Sequence, residues 1–308
     1  MKSLCISIDL DPLSCYYDIH GVEGYQKTET DLIYSVALER IYEFFQRENI
    51  PLTLFVVGSQ LLDEVAVRYL KDALDLGYEI GNHSYNHLYN LSLLSEEKID
   101  YEIEECDNII YRKLGTRPVG FRAPGYNLCP YIIRVITNME YSYDSSVLPS
   151  PFYYFSKATI IFLYKLTGRK TGSICGSIGM PFAERDIYPM GERIYNKARF
   201  STILEIPISV AGFFGIPYIG TFIMGYKDII HNYLQKWVSN LNLLHIELHG
   251  IDFLDSGDVR DERIVKSQFD LKIPLDKKVE RLKRLIHRFN PERCVRLSDF
   301  RLKDYIFL

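Results

Sequence analysis

The 308 residues are enough for one large domain or two small ones, and a chain that is 47% apolar and 25% charged reads as a globular protein with a large core. A net charge of −4 gives no general argument for nucleic acid as a partner. The six cysteines (Cys5, Cys15, Cys106, Cys129, Cys175, Cys294) are scattered without a CxxC pair and read as reduced thiols. Met1 and Lys2 run straight into a strand-like segment, and no apolar run reaches the ~18–20 residues of a membrane span. The expectation is a cytoplasmic protein.

In chain order, Leu4 to Ile8 reads as a buried strand ending in Asp9-Leu10-Asp11. Asp31 to Glu48 has helical periodicity. Thr53 to Val57 is a second buried strand, and Gln60 to Leu76 a helix stopped by Gly77. Tyr78 to Asn82 is the third strand and leads into His83-Ser84-Tyr85-Asn86-His87. A helix from Ser95 to Leu114 closes at Gly115. Val119 to Phe121 is the fourth strand, followed by Arg122-Ala123-Pro124-Gly125-Tyr126. A short helix spans Pro130 to Asn138, and Tyr141 to Tyr143 is the fifth strand, ending at Asp144.

The middle, Pro151 to Gly225, is rich in Gly, Pro and aromatics, with a strand at Leu204 to Ile208. Rhythm returns with a helix from Asp228 to Val238, a strand from Leu241 to Leu248 ending in His249, a basic helix from Asp276 to Phe289, and a last strand at Val295 to Leu297. Alternating strands and helices predict a parallel sheet with helices outside it. The polar clusters follow the strands, so they gather at one face, where sites form in such folds.

Two imidazoles four residues apart, on one helical turn starting near Ser84, can bind a divalent metal, most often zinc. Asp9 and Asp11 alternate at a strand end and share one side, so one can bind metal while the other stays free as a base. Asp11, His83 and His87 would leave a metal position open for water, as catalytic zinc requires. A haloacid dehalogenase-type phosphatase also places Asp-x-Asp after its first strand, but Leu13 stands where that motif continues to Thr or Val, and no clear later Lys or acidic pair follows. Gly176-Ser177-Ile178-Gly179 lacks the Lys and Ser/Thr of a phosphate loop. His20, His231 and His287 show no partner pattern and read as surface residues.

Together these motifs resemble those of the polysaccharide deacetylases (carbohydrate esterase family 4, NodB-type). His83-Ser84-Tyr85-Asn86-His87 matches the family's His-[Ser/Thr]-x-x-His. Asp9-Leu10-Asp11 matches the spaced aspartates of its intracellular branch, and Arg122-Ala123-Pro124 its Arg-x-Pro stretch. Asp144 matches the fourth motif loosely, and Gly125 displaces the usual Tyr after Pro. The resemblance covers roughly residues 1–150 and 240–300 and leaves out the middle third.

It implies a distorted (β/α) barrel, a single catalytic domain over 1–308 with an aromatic and apolar insertion at about 150–225. It implies metal-dependent removal of an N-acyl group, acetyl or formyl, from a sugar. Asp9 would be the base, oriented by Arg122; Asp11, His83 and His87 would hold the metal, zinc by preference. The acid is open between His249, nearest the strand end, and His245, whose His245-Ile246-Glu247 resembles a deformylase acting on a lipid-linked sugar. Tyr126, Asp144 and Glu247 are candidate substrate contacts, and an N–H near Gly125 or Tyr126 a candidate oxyanion donor. A small non-sugar amide as substrate, or a catalytically dead glycan- or lipid-binding module, are the alternatives.

Tyr153 to Tyr164 admits two readings: a packed core helix, or an amphipathic segment at a membrane surface. Lys157, Lys165 and Arg169-Lys170 flank it, and Ile216 to Met224 adds a second apolar run. The surface reading predicts peripheral membrane contact and a lipid-linked substrate; failure to bind anionic vesicles at low salt, together with burial of Tyr154, Phe155, Ile161 and Phe162, would leave a soluble sugar.

Overall fold

The computed structural model describes residues 1–25, 30–168, 171–191, 193–199, 201–226 and 228–305. The Arg169-Lys170 pair lies outside the described residues. The first half runs β1 (Ser3–Asp9), α1 (Leu13–His20), α2 (Leu38–Arg47), β2 (Leu52–Val56), α3 (Glu64–Asp75), β3 (Glu79–Asn82), α4 (Glu96–Leu114), β4 (Gly120–Phe121), α5 (Pro130–Asn138) and β5 (Tyr143–Asp144). The second half runs α6 (Pro151–Leu166), β6 (Tyr188–Met190), β7 (Ile203–Glu205), β8 (Val210–Ala211), β9 (Ile216–Pro217), α7 (Asp228–Val238), β10 (Leu243–His249), α8 (Glu262–Ser267), α9 (Leu275–Phe289) and β11 (Arg293–Cys294).

The sheet has the order β10-β1-β2-β3-β4-β5-β7-β6, parallel throughout except for the last pair, and β11 adds to β1. It curls until the chain after β7 meets β10: the Ser209 N–H donates to the His245 carbonyl and the Glu247 N–H to the Tyr218 carbonyl. The fold is a distorted (β/α) barrel.

Strand parity explains the rest. In β1, Leu4, Ile6 and Ile8 face the helices and join the main apolar core, while Cys5, Ser7 and Asp9 point inward. The same parity turns Phe55, Tyr143, Ser145, His245 and Glu247 inward. The register sets Ser7 beside Glu247 and Asp9 beside His249. Gly81 is required where it stands, because a Cβ there would come within 2.6 Å of the inward Phe55 ring. The floor of the barrel is thus apolar and aromatic, and polarity rises toward the C-terminal strand ends.

Four expectations change. The last strand is β11, before the expected Val295–Leu297, because the Asp299 carboxylate takes the Arg296 N–H and folds Leu297–Asp299 into a turn. Ile216 to Met224 is no exposed run: Tyr218, Ile223 and Met224 are fully buried beside β10 and α9. α6 is a helix, but no residue in it is fully buried, so it is not a core helix. His231, read as surface, is buried and bonds Gln235. No described helix is long and apolar enough to cross a membrane.

Candidate metal and catalytic site

The site lies at the strand ends. β1 delivers Asp9 and then Asp11, the turn after β3 delivers His83 and His87, the residue after β4 is Arg122, and β10 ends in His249. The expected helical turn at Ser84 is absent. Ser84 and His87 both have left-handed backbone, φ 61° and 56°. Two anchors impose this: Asn82 Oδ1 accepts the Ser84 N–H, and the Glu102 carboxylate of α4 accepts both the Asn86 N–H and its side-chain amide. The loop still turns both imidazoles onto one point.

That point has a specific signature. His83 Nε2 and His87 Nε2 lie 3.2 Å and 3.1 Å from Asp11 Oδ1. All three atoms are buried, and none has a hydrogen-bond partner. Buried polar atoms are rarely left orphaned, and two imidazole nitrogens with one carboxylate oxygen are a donor set that suits zinc. The other ring nitrogens are held from behind: His83 Nδ1 lies 2.7 Å from the Arg122 carbonyl and His87 Nδ1 3.3 Å from the Cys15 thiol. Burial opposes charging of His87, but the Asp11 carboxylate prevails and lifts it to about 9.

Arg122 is fully buried and spends every arm. Its Nη1 donates to Asp9 Oδ1 at 2.7 Å, its Nε to the Ser145 carbonyl and its Nη2 to Ser145 Oγ. The guanidinium also stacks 4.3 Å above the Phe55 ring. Asp9 is therefore fixed on one oxygen, while its other oxygen faces His83 at 3.5 Å.

The two candidate acids separate. His245 is fully buried; its Nδ1 meets the Pro207 carbonyl and its Nε2 meets Ser7 Oγ and an Arg122 N–H. Nε2 must accept there, so the ring is neutral with its proton on Nδ1. Burial and the Arg122 charge push it down to about 3. It does not line the cavity, and its one ring proton is directed to the Pro207 carbonyl. His249 does line the cavity, with Nε2 3.7 Å from Asp11 Oδ2 and Nδ1 3.2 Å from Glu247. Burial opposes its charging, but Glu247, Asp11 and Asp9 raise it to about 9.

The substrate-contact candidates also divide. Tyr126 lines the cavity, its ring edge-on to Tyr153. Glu247 is fully buried behind His249, 3.2 Å from its Nδ1 with neither carboxylate oxygen in a hydrogen bond, and burial raises it to about 8; it does not line the cavity. Asp144 is on the wrong parity: it points out of the barrel, accepting the Ser146 N–H and hydroxyl beside Glu205, and does not line the catalytic cavity. The Tyr126 N–H already donates to Ala123, which leaves Gly125 as the donor from that turn. Gly125 is needed there, having φ 60° and standing where a Cβ would come 2.8 Å from the Tyr89 ring.

The cavity above these residues measures about 380 Å³. Tyr16, Tyr89 and Asp252 line it, as does His20, expected at the surface. The roof is α6, through Tyr153, Ser156, Lys157, Ile160, Ile161 and Tyr164. None of these roof positions carries a motif, so spacing could not mark them; only the aromatic density of the segment sets it apart.

A family model described as polysaccharide deacetylase matches residues 30–143. The peptidoglycan deacetylase of Helicobacter pylori is 22% identical over 147 residues, 47% of this chain and 49% of that protein. The uncharacterized protein YlxY of Bacillus subtilis is 32% identical over 105 residues, 33% and 31% of the two chains. The matched part thus spans about half of one curated relative and about a third of the other. Among solved structures, a protein of Mycobacterium smegmatis assigned to the polysaccharide deacetylases superposes with TM-score 0.56 at 13% identity, covering 94% of this chain and 92% of that one. Puue allantoinase gives 0.59 at 14% identity, covering 96% and 88%. At such identities these two structures speak for the fold alone.

Proposed function

The chain belongs to the polysaccharide deacetylase family, and from that premise we propose that it hydrolyses an N-acyl group, acetyl or formyl, on a sugar with the help of a divalent metal. The observation that supports this most is the convergence of three orphaned buried donors on one point beside an Arg-clamped carboxylate. Asp11, His83 and His87 would hold the metal, zinc by donor type. Bound there, it would acidify a water and polarise the acyl carbonyl.

The chain's own residues carry the protons. Asp9, held by Arg122, accepts a proton from the attacking water as the new C–O bond forms at the acyl carbon. The Gly125 N–H donates to the developing oxyanion. As the C–N bond breaks, His249 donates a proton to the departing nitrogen, and Glu247 holds that ring in place. The products are a carboxylate and a free amino sugar.

A roofed cavity of about 380 Å³ suits one sugar unit better than a length of polymer. Lys157, the sole Lys or Arg among the described cavity-lining residues, could pair with a phosphate of a lipid or nucleotide carrier; burial lowers it to about 8. The roof equally favours a second reading, a small non-sugar amide hydrolysed by the same residues. One experiment separates them: mass-spectrometric product detection with zinc-loaded protein on acylated nucleotide sugars, lipid-linked sugars and small amides. Amine release from a sugar alone supports the first reading, release from the amides alone the second, and no turnover by fully loaded protein refutes both.

A further inference from the structure

α6 has two apolar faces. Positions 153, 156, 157, 160, 161 and 164 follow one side of the helix and roof the catalytic cavity. Phe155, Phe162 and Leu166 follow the opposite side at helical spacing, with Leu163 at its margin. The tip between β8 and β9 adds Phe213 and Phe214, and its Phe214 carbonyl takes the Phe152 N–H, which ties the tip to the start of α6. These six side chains are between 51% and 85% exposed. Phe155 and Phe214 share one apolar groove with Pro151 and Phe152, and the Phe213 ring meets that of Phe214 edge-on, so the start of α6 and the tip form one apolar surface. A cluster of large exposed apolar side chains is uncommon on a free surface and marks a partner.

Charge indicates which partner. From Ser145 to Ala183 the sequence holds no Asp or Glu; Lys157 faces the cavity, but Lys165 and, further along the sequence, Arg169 and Lys170 leave the segment with a positive balance in a chain of net charge −4. A second copy packed symmetrically on this segment would set like charge against like charge. A surface that offers both hydrocarbon and negative charge complements the patch on both counts. The 16 residues of α6 reach about 24 Å, short of the ~30 Å hydrocarbon core, so the helix can lie in an interface and cannot cross it.

We propose that the outer face of α6 and the Phe213–Phe214 tip dock onto an anionic lipid bilayer, with the cavity beneath the docked helix. The docking stands apart from the hydrolase reading; only the step in which the bilayer presents the substrate rests on it.

The test is co-sedimentation of the intact chain with phosphatidylcholine vesicles with and without phosphatidylglycerol. The wild type is expected to pellet with the anionic vesicles, and added salt should weaken this. Phe162→Ser with Leu166→Ser, and separately Phe213→Ser, should reduce partitioning roughly tenfold or more. Unchanged circular dichroism and zinc content would show that these variants fold. Three results would overturn the proposal: wild type left in the supernatant at low salt, the folded double variant pelleting like wild type, or a wild-type dimer that the same substitutions disperse without any vesicle binding. Each zinc-loaded preparation is also assayed on the panel of acylated nucleotide sugars, lipid-linked sugars and small amides. Vesicle binding without turnover of any of them overturns the hydrolase reading and leaves the docking, whereas turnover without vesicle binding does the reverse.

Discussion

At the strand ends, the reactive candidates are backed by neighbouring groups: Asp9 by the Arg122 side chain and His83 by the Arg122 carbonyl, just after β4, His87 by Cys15 of α1, and His249 by Glu247 of its own strand β10. Across the cavity, α6 covers them with a helix in which no residue is fully buried. The two regions answer different demands. Ligands and proton carriers need positions fixed to fractions of an ångström, and a closed parallel sheet supplies them. A cover needs only shape and apolar surface, and it can be held by few contacts. The contrast predicts steep losses of function from substitutions at the strand ends, and small losses of stability from substitutions on the cover.

The steepest loss should follow His83→Ala or His87→Ala. Each removes one of three converging donors, so metal retention and turnover should vanish together, beyond the ~10–100-fold that loss of a ligand's hydrogen-bond partner costs. Elemental analysis beside the activity assay checks this. Full metal occupancy in the double variant would end the assignment. Next, Asp9→Asn should keep the metal and lower turnover ~10²–10⁴-fold, the range for removing a general base. If Asp9→Asn sheds the metal and Asp11→Asn keeps it, the two aspartates exchange roles.

The histidines of β10 sharpen the comparison within one strand. His249→Ala should lower turnover and alter the alkaline limb of the pH–rate profile while leaving metal content intact. His245→Ala should instead reduce stability by roughly 1–3 kcal/mol, because the Pro207 carbonyl, Ser7 hydroxyl and Arg122 N–H lose a buried partner. Denaturant titration beside the rate profile separates the two effects.

A smaller effect tests the outward layer. Burial, and then the Asp144 charge, raise Glu205 well above its ordinary value, and Glu205 Oε2 has no donor, so a proton shared with Asp144 satisfies the pair. A carboxyl raised in the folded state stabilises below its unfolded pKa, near 4.3, and loses that contribution as pH rises through its folded value. Glu205→Gln should therefore remove a negative slope in stability above about pH 4.3, of at most about 1.4 kcal/mol per pH unit. Melting temperatures across that range measure it, and an unchanged slope would place the proton elsewhere.

Strand positions were legible because strands buried on both faces read as short apolar runs, and Leu4–Ile8 and Thr53–Val57 are such runs. Parity carries further than motif matching. It turns Tyr143 and Ser145 inward and Asp144 outward, which a loose motif match at Asp144 does not register. Parity alone does not separate His245 from His249, since both face inward; depth in the barrel decides, and depth comes from long-range pairing. The left-handed loop at Ser84 was hidden for a similar reason, being imposed by Glu102, sixteen residues after the Asn86 that it holds. α6 misleads in its own way. A helix apolar on both sides reads as core, and only the tertiary structure shows one of those sides facing out.

That outward side yields the smallest expected effect. In a packed core, replacing Leu54 or Phe45 with alanine should cost about 2–5 kcal/mol, since both are fully buried. Phe162→Ser and Leu166→Ser remove side chains already in contact with water, so each should change stability by about 0.5 kcal/mol or less. Some of that would even be gain, as the apolar surface exposed by the folded state shrinks. Chemical denaturation in the absence of lipid is the measurement. A cost above about 2 kcal/mol for either serine variant would mean that these side chains pack in solution against something the exposed face does not show, and α6 would belong with the barrel and not with the cover.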